Sequence, residues 1–255
     1  MKILLTNDDG INSRGLQELK KCLENFGKVV VVAPDRERSG SGHSSSIYKT
    51  VSCRETWAGQ DFYGYSLSGT PVDCVIIGLE KLFGNDKPDL VISGINAGAN
   101  LGRDIFYSGT VGAAIEGAFH GIFSIAISID KKEKLFYSSA IKVIEKVIKT
   151  IPSETYKQPQ VLNINIPNIR YSKVKGIRLT KLAHIFHQKN IKRIYRSDNT
   201  DYFWIEGSQP EGVMEKNSDY WAIRNNYISV TPVSLELKNN NSQYNLEKWI
   251  QILNT

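Results

Sequence analysis

Apolar residues along the chain fall into short unbroken runs, each followed by a polar turn. Ile3, Leu4 and Leu5 stand together, as in a strand covered on both faces of a parallel sheet. Asn7-Asp8-Asp9-Gly10 then breaks the run. Leu16, Leu19, Leu23 and Phe26 recur at helical spacing, so a helix is expected from about Ser13 to Phe26, with Gly27 as its stop. Val29 to Ala33 is a second buried strand, closed by Pro34. The chain therefore opens strand–helix–strand, which favours a right-handed parallel unit.

The pattern continues in the same style. Strands are expected over Ile47 to Val51 and Phe62 to Leu67, a helix over Val72 to Phe83, and a third buried strand over Leu90 to Ser93. Gly94 to Gly109 reads as a glycine-rich loop, and Val111 to His120 as a helix of small residues. Ser124 to Ile129 is a strand, Leu135 to Ile148 an amphipathic helix, and Val161 to Ile166 another strand. From about Ile169 the rhythm changes. Gly176 to Thr180, Tyr202 to Ile205 and Tyr227 to Val230 are short β-like pieces separated by charged stretches, read as antiparallel extensions and arms. Asn239-Asn240-Asn241 suggests a loop before a last helix, Leu246 to Leu253. There are no internal repeats.

Composition agrees with a globular chain: 255 residues, 41% hydrophobic and 23% charged. No apolar run is long enough to span a bilayer. The N-terminus reaches an acidic turn within a few residues, unlike a secretory leader, so a cytoplasmic location is expected. Three cysteines, Cys22, Cys53 and Cys74, form no C-x-x-C pair and read as reduced thiols. Lysine plus arginine exceed aspartate plus glutamate by 32 to 26, a net charge of +6 that suits an anionic substrate. The basic residues (Lys131-Lys132, Lys189, Lys192-Arg193) are scattered, which argues against a nucleic-acid face and for a solvated surface.

Three polar loops follow three expected strands. In open α/β sheets ligands bind beyond the carboxyl ends of the strands, so all three would meet at one edge. Asp8 and Asp9 come first. Beside Gly10 both carboxylates can aim at one point, where their repulsion is relieved by a hard divalent cation such as magnesium or manganese. The same pair could simply cap the next helix. The second loop, Asp35 to Ser46, carries Ser39, Gly40 and Ser41, whose backbone and hydroxyl groups suit a phosphate or a metal. It could equally be a surface loop. Its His43 is a candidate general acid, or an ordinary surface or core histidine.

The third loop holds Asn96 and leads to Ser108-Gly109-Thr110 at a helix start, where free N–H groups and a partial positive charge suit phosphate. It contains no Gly-Lys-Ser/Thr P-loop, and glycines at 94, 98 and 102 do not make a dinucleotide fingerprint. A dehydrogenase is thereby disfavoured. A nucleotide- or RNA-binding module without catalysis fits the basic balance and the 12 tyrosines. It does not account for paired aspartates, which repel a phosphate unless a cation intervenes.

These loops resemble those of the SurE family, the stationary-phase survival nucleotidases. The matching pieces are Ile3 to Gly10, Ala33-Pro34-Asp35-Arg36 with Arg38-Ser39-Gly40, Ser68 to Cys74, Gly94 to Gly117, Leu162-Asn163-Ile164-Asn165-Ile166-Pro167, and Tyr227 to Pro232. They run nearly the full length in fixed order. The resemblance implies one Rossmann-like α/β domain over residues 1–255 with a mostly parallel sheet. It implies a C-terminal β-hairpin arm, roughly 170–226, exchanged in a homodimer or homotetramer.

It further implies a divalent-metal-dependent 5′- and 3′-nucleotidase acting on nucleoside monophosphates. The metal ligands fall on Asp8, Asp9, Ser39 and Asn96, and the phosphate region on Ser39, Gly40, Asn96, Ser108, Gly109 and Thr110. Asp8 and Asp9 are the expected catalytic residues, holding or deprotonating a water that attacks phosphorus. Direct attack by Asp8 to form an acyl phosphate is the alternative chemistry. No membrane and no stable nucleic-acid partner is expected.

Overall fold

The computed structural model describes residues 1–130, 134–198, 200–212 and 214–235. The expected final helix, Leu246 to Leu253, and the Asn239–Asn241 loop lie outside the described residues. The chain runs β1 (Lys2–Thr6), α1 (Arg14–Leu23), β2 (Lys28–Pro34), β3 (Cys53–Ala58), β4 (Asp61–Leu67), α2 (Pro71–Ile77) and β5 (Leu90–Ala97). It continues through α3 (Gly109–Phe119), β6 (Ser124–Ile129), α4 (Tyr137–Thr150), β7 (Val161–Ile166) and β8 (Ile177–Leu179). Last come β9 (Ile185–Ser197), β10 (Thr200–Gly212), α5 (Asp219–Arg224) and β11 (Ile228–Val233).

Among the described residues, nine strands form one sheet in the order β3-β4-β2-β1-β5-β6-β7-β11-β8. The six from β4 to β7 are parallel. β3 and β11 join antiparallel at the flanks. Among the described residues β9 and β10 pair only with each other, as a separate antiparallel hairpin. This is the parallel α/β architecture expected from the alternating pattern, and the Rossmann-like core that the family resemblance implies.

The sheet is apolar on both faces because each strand alternates its side chains between two helical layers. On β1, Ile3 and Leu5 pack into the core that includes Leu16, Leu19 and Val143 of α1 and α4. Leu4 enters the opposite core with Val75 and Ala113 of α2 and α3. All three strand residues have no solvent exposure. A Leu-to-Ala change at such a position costs about 2–5 kcal/mol. The helix starts are fixed by side chains. Ser13 Oγ accepts from Leu16 N at 3.4 Å. Thr70 and Asp73 form a reciprocal capping box behind Pro71.

Several boundaries differ from the sequence reading. Ile47 to Val51 is not a strand: Lys49 N donates to Ser46 O at 3.1 Å in a turn, Tyr48 takes a positive φ of 59°, and both Ile47 and Tyr48 are exposed. The first strand after β2 begins at Cys53 instead. The helix expected through Phe83 is α-helical only to Ile77 and finishes as a wider π-helical turn, Gly78–Phe83, closed by Gly84 N donating to Leu79 O. β5 runs on to Ala97, so Asn96 sits on a strand end rather than inside a loop.

The C-terminal third also differs. Tyr202 to Ile205 belongs to a 13-residue strand rather than a short piece. β11 re-enters the main sheet beside β7, and α5 was not foreseen. No described helix is long and apolar enough to cross a membrane.

Candidate active site

β1 lies inside the sheet with β2 on one side and β5 on the other. The chain order reverses there, which opens a crevice beyond the strand ends. Asn7 shapes the turn that follows β1. Its Nδ2 donates to Gly10 O at 3.1 Å and Ser13 Oγ at 2.7 Å, and its Oδ1 accepts from Gly10 N at 3.2 Å. Gly10 takes φ +96°, a conformation that side chains rarely adopt, so glycine is needed for the chain to reverse.

The turn presents Asp8 and Asp9 in different directions. Asp8 Oδ2 accepts from Thr110 N at 3.2 Å, and Oδ1 accepts from the Thr110 hydroxyl. Asp8 is only 4% exposed. Burial pushes its carboxyl above the ordinary 3.8, against the opposing pull of the Thr110 hydrogen bonds. Asp9 is less buried, and its Oδ2 accepts from Ala97 N at the end of β5, at 3.2 Å.

The second loop is tied to the first by Arg38 N, which donates to Asp8 O at 2.7 Å. The Arg38 guanidinium reaches Ser68 O. Ser39 Oγ donates to a Glu37 carboxylate oxygen at 2.7 Å. Gly42 N donates to Tyr107 O at 3.0 Å, joining the second loop to the third. Ser41 Oγ is buried with no hydrogen-bond partner among the described residues. It sits 2.6 Å from where a Cβ on Gly109 would stand, and that Cβ would also lie 3.0 Å from Asp8 Cβ. Glycine at 109 thus lets the second loop, Asp8 and the start of α3 close on one another.

On the third segment, Asn96 Nδ2 donates to Gly98 O at 2.7 Å, which orients the side-chain amide at the end of β5. Ser108 caps α3 by accepting from Val111 N at 3.1 Å. The result is one cleft of about 780 Å³ at the strand ends. Asp8, Asp9, Glu37, Ser39, Gly40, Asn96 and Ser108 line it together with Asn100, Arg103 and Tyr107. Ile205 and Gly207 of the hairpin line it too.

Most of the residues singled out by sequence therefore share one cavity. Gly109 and Thr110 do not line it. Gly109 packs behind Asp8, and Thr110, expected at the phosphate, turns its N–H and hydroxyl to the Asp8 carboxylate. His43, the sequence candidate for general acid, lies outside the cleft. Its Nε2 is 2.8 Å from Glu116 Oε2 on α3, and its ring packs edge-on against Phe119 at 5.4 Å. The hydrogen bond from His43 holds the Glu116 carboxyl below its ordinary 4.5.

Two supports were not anticipated. Asn100 is held by a buried polar network: its N donates to Asn165 Oδ1 at 2.8 Å and its Nδ2 to Ser128 Oγ at 2.8 Å. Its carbonyl accepts from Asn163 and Asn165 at 2.8 and 3.0 Å. The signal was present in Leu162 to Pro167, where two asparagines interrupt a buried strand. Asp219 of α5, fully buried, accepts from Gly102 N at 2.7 Å and Ala183 N at 2.9 Å. It fixes the segment carrying Arg103 and Tyr107, and burial raises its carboxyl despite those backbone donors. No pattern around Asp219 announced this.

A parallel sheet with paired aspartates at its switch point and a capped helix start beside them defines an α/β protein of Rossmann-like type with an acidic strand-end site. Comparison with known proteins narrows this. The family model described as "Survival protein SurE" matches residues 3–189. A protein of Aquifex aeolicus named 5′-nucleotidase SurE is 41% identical over 236 residues, 92% of this chain and 93% of the relative. One of Wigglesworthia glossinidia brevipalpis named 5′/3′-nucleotidase SurE is 40% identical, covering 98% of each. The crystal structure of the SurE protein from Aquifex aeolicus superposes with a TM-score of 0.80 at 38% identity, covering 100% of both chains. The chain belongs to the SurE family.

Proposed function

We propose that this protein is a metal-dependent 5′-nucleotidase. It hydrolyses the phosphoric monoester of nucleoside 5′-monophosphates, and of 3′-monophosphates as well, to nucleoside and phosphate. The observation that carries this reading is the meeting of Asp8, Asp9, Ser39 and Asn96 in one cleft beside a helix start. The names of the relatives support the same activity.

The donor set fits one hard divalent cation, magnesium or manganese. It offers two carboxylates, one hydroxyl and one amide oxygen, and no thiolate or imidazole. Among the described residues no cluster of three or more His, Cys, Asp or Glu could hold a metal, so neutral oxygens must complete the set. Burial disfavours the ionised Asp8, a cost that a bound cation would offset. When bound, such a cation neutralises phosphate charge and lowers the pKa of water.

The chain's own residues do the rest. Ser39 and Gly40 hold the phosphate from one side. Ser108, which caps α3, lines the cleft and meets the phosphoryl oxygens from the other side, with the partial positive charge of the helix start behind it. Asp9, the less buried carboxylate, takes the proton of the attacking water. Water attack is favoured over an acyl phosphate on Asp8, because both Asp8 oxygens accept hydrogen bonds from Thr110. The exposed apolar residues of the hairpin, among them Phe203 and Trp204, support its use in a homodimer or homotetramer.

The test is phosphate release from AMP and GMP with manganese or magnesium, repeated in EDTA. Release that stops in EDTA and returns with added metal is expected. Release that continues unchanged in EDTA would remove the metal from the account.

A further inference from the structure

The cleft is lined by large apolar side chains as well as by the polar groups described above. Tyr107, on the segment before α3, is 56% exposed, and Ile205, on β10, is 65% exposed. Both line the same cleft although they come from elements far apart in sequence. Within β10, Ile205 and Gly207 stand two residues apart and share one face of the strand. Gly207 lines the cleft too, and a Cβ added there would meet nothing within 4 Å. The cleft volume of about 780 Å³ far exceeds what a phosphate group needs and lies in the range of small-molecule sites.

An aromatic ring and a branched aliphatic side chain in the same cleft as an anion site suit a flat heteroaromatic group linked to that anion. Resting on the nucleotidase reading above, we infer that the nucleobase of the substrate is received between Tyr107 and Ile205, and that Gly207 sets the room available to it. The hairpin is then a specificity element of the active site as well as an arm. Its position, anchored where Gly102 packs against the carbonyls of Ala183 and Ile185, governs which bases are accepted.

Gly207 is the informative site. Its backbone φ is not in the left-handed region, so a side chain there meets neither strain nor a neighbour. Gly207→Leu should narrow the base end alone and disfavour purines relative to pyrimidines by about tenfold.

The experiment uses the full chain with manganese. Calorimetry gives the affinity for AMP, CMP and ribose 5-phosphate in the parent protein, Tyr107→Ala, Ile205→Ala and Gly207→Leu, with phosphate release followed in parallel. Tyr107→Ala and Ile205→Ala are expected to weaken AMP about tenfold more than ribose 5-phosphate, which lacks a base. Equal losses for both ligands, or no loss for either, would overturn the inference, as would failure of the parent protein to prefer AMP over ribose 5-phosphate. If Tyr107→Ala does not fold, Gly207→Leu reads the same space from an open strand. AMP binding that depends on this wall without phosphate release would leave the inference standing and sink the nucleotidase reading instead.

Discussion

At the end of β1, Asp8 and Asp9 are bonded across to two different elements, α3 and β5. Along β9 and β10 the ladder joins the two strands to each other, and large apolar side chains are exposed along both. The hairpin does carry local order of its own. Tyr195 and Tyr202 stack at 4.3 Å, and Lys192 pairs with Glu206 at 2.7 Å. Those contacts are exposed and each contributes little. The first region is determined by the core beneath it. The second has its shape set by pairing and turns, and its purpose lies in what it touches. Changes in the cleft should therefore act on chemistry, and changes in the hairpin on assembly and selection.

The largest effect that would sharpen this contrast is expected at the carboxylates. Asp8→Asn and Asp9→Asn should each lower kcat/KM for AMP on the order of 10³-fold. Asp8→Asn carries a second signature. Burial raises the Asp8 carboxyl, so the stability it contributes is full below the ordinary 3.8 and is lost as pH rises through the folded value. In EDTA at neutral pH the Asn variant should melt above the parent protein, and the gap should close as the pH falls toward 3.8. A variant that melts lower at neutral pH would make Asp8 a structural residue.

Next in size is Gly109→Ala. Its Cβ would stand 2.6 Å from Ser41 Oγ and 3.0 Å from Asp8 Cβ. A displacement of that kind should cost about 100-fold in kcat/KM. Unimpaired turnover would show that the close packing behind Asp8 is irrelevant to the chemistry.

For the hairpin, Phe203→Ser together with Trp204→Ser should shift sedimentation toward the monomer. Both side chains are exposed, and their loss should change the melting temperature by no more than about 2–4 °C. Loss of fold on that change would break the comparison, because it would place the hairpin within the stable core.

The smallest effect concerns Glu116, held by His43 below its ordinary 4.5. A lowered carboxyl contributes stability above its unfolded value and loses it as pH falls through the folded one. Glu116→Gln should therefore be less stable than the parent protein by about 1 kcal/mol at neutral pH, with the difference vanishing in acid. Thermal melts between pH 7 and pH 3 check it; a difference that grows in acid contradicts it.

The central sheet was readable because buried parallel strands announce themselves as runs such as Val29 to Ala33 and Leu90 to Ser93. The cleft followed from the rule that loops after parallel strands share an edge. Ile47 to Val51 misled because β-branched residues make a strand only where a partner strand is present. Asn96 was placed one element wrong because polar residues continue β5 where local pattern predicts a loop. Thr110 was expected at the ligand because its type and helix-start position suit phosphate equally well. Only the fold brings Asp8 close enough to take both its donors. Asp219 and the hairpin's contribution to the cleft wall were invisible, since each depends on contacts with segments far away in sequence.

The account rests on a cation held among Asp8, Asp9, Ser39 and Asn96. Crystals grown with manganese, measured at a wavelength where manganese scatters anomalously, test it most directly. A single strong anomalous peak in the cleft, within about 2–2.5 Å of oxygen atoms from these four residues, is the predicted result. A peak elsewhere with none in the cleft, or a cleft that stays without one at saturating manganese, would contradict it.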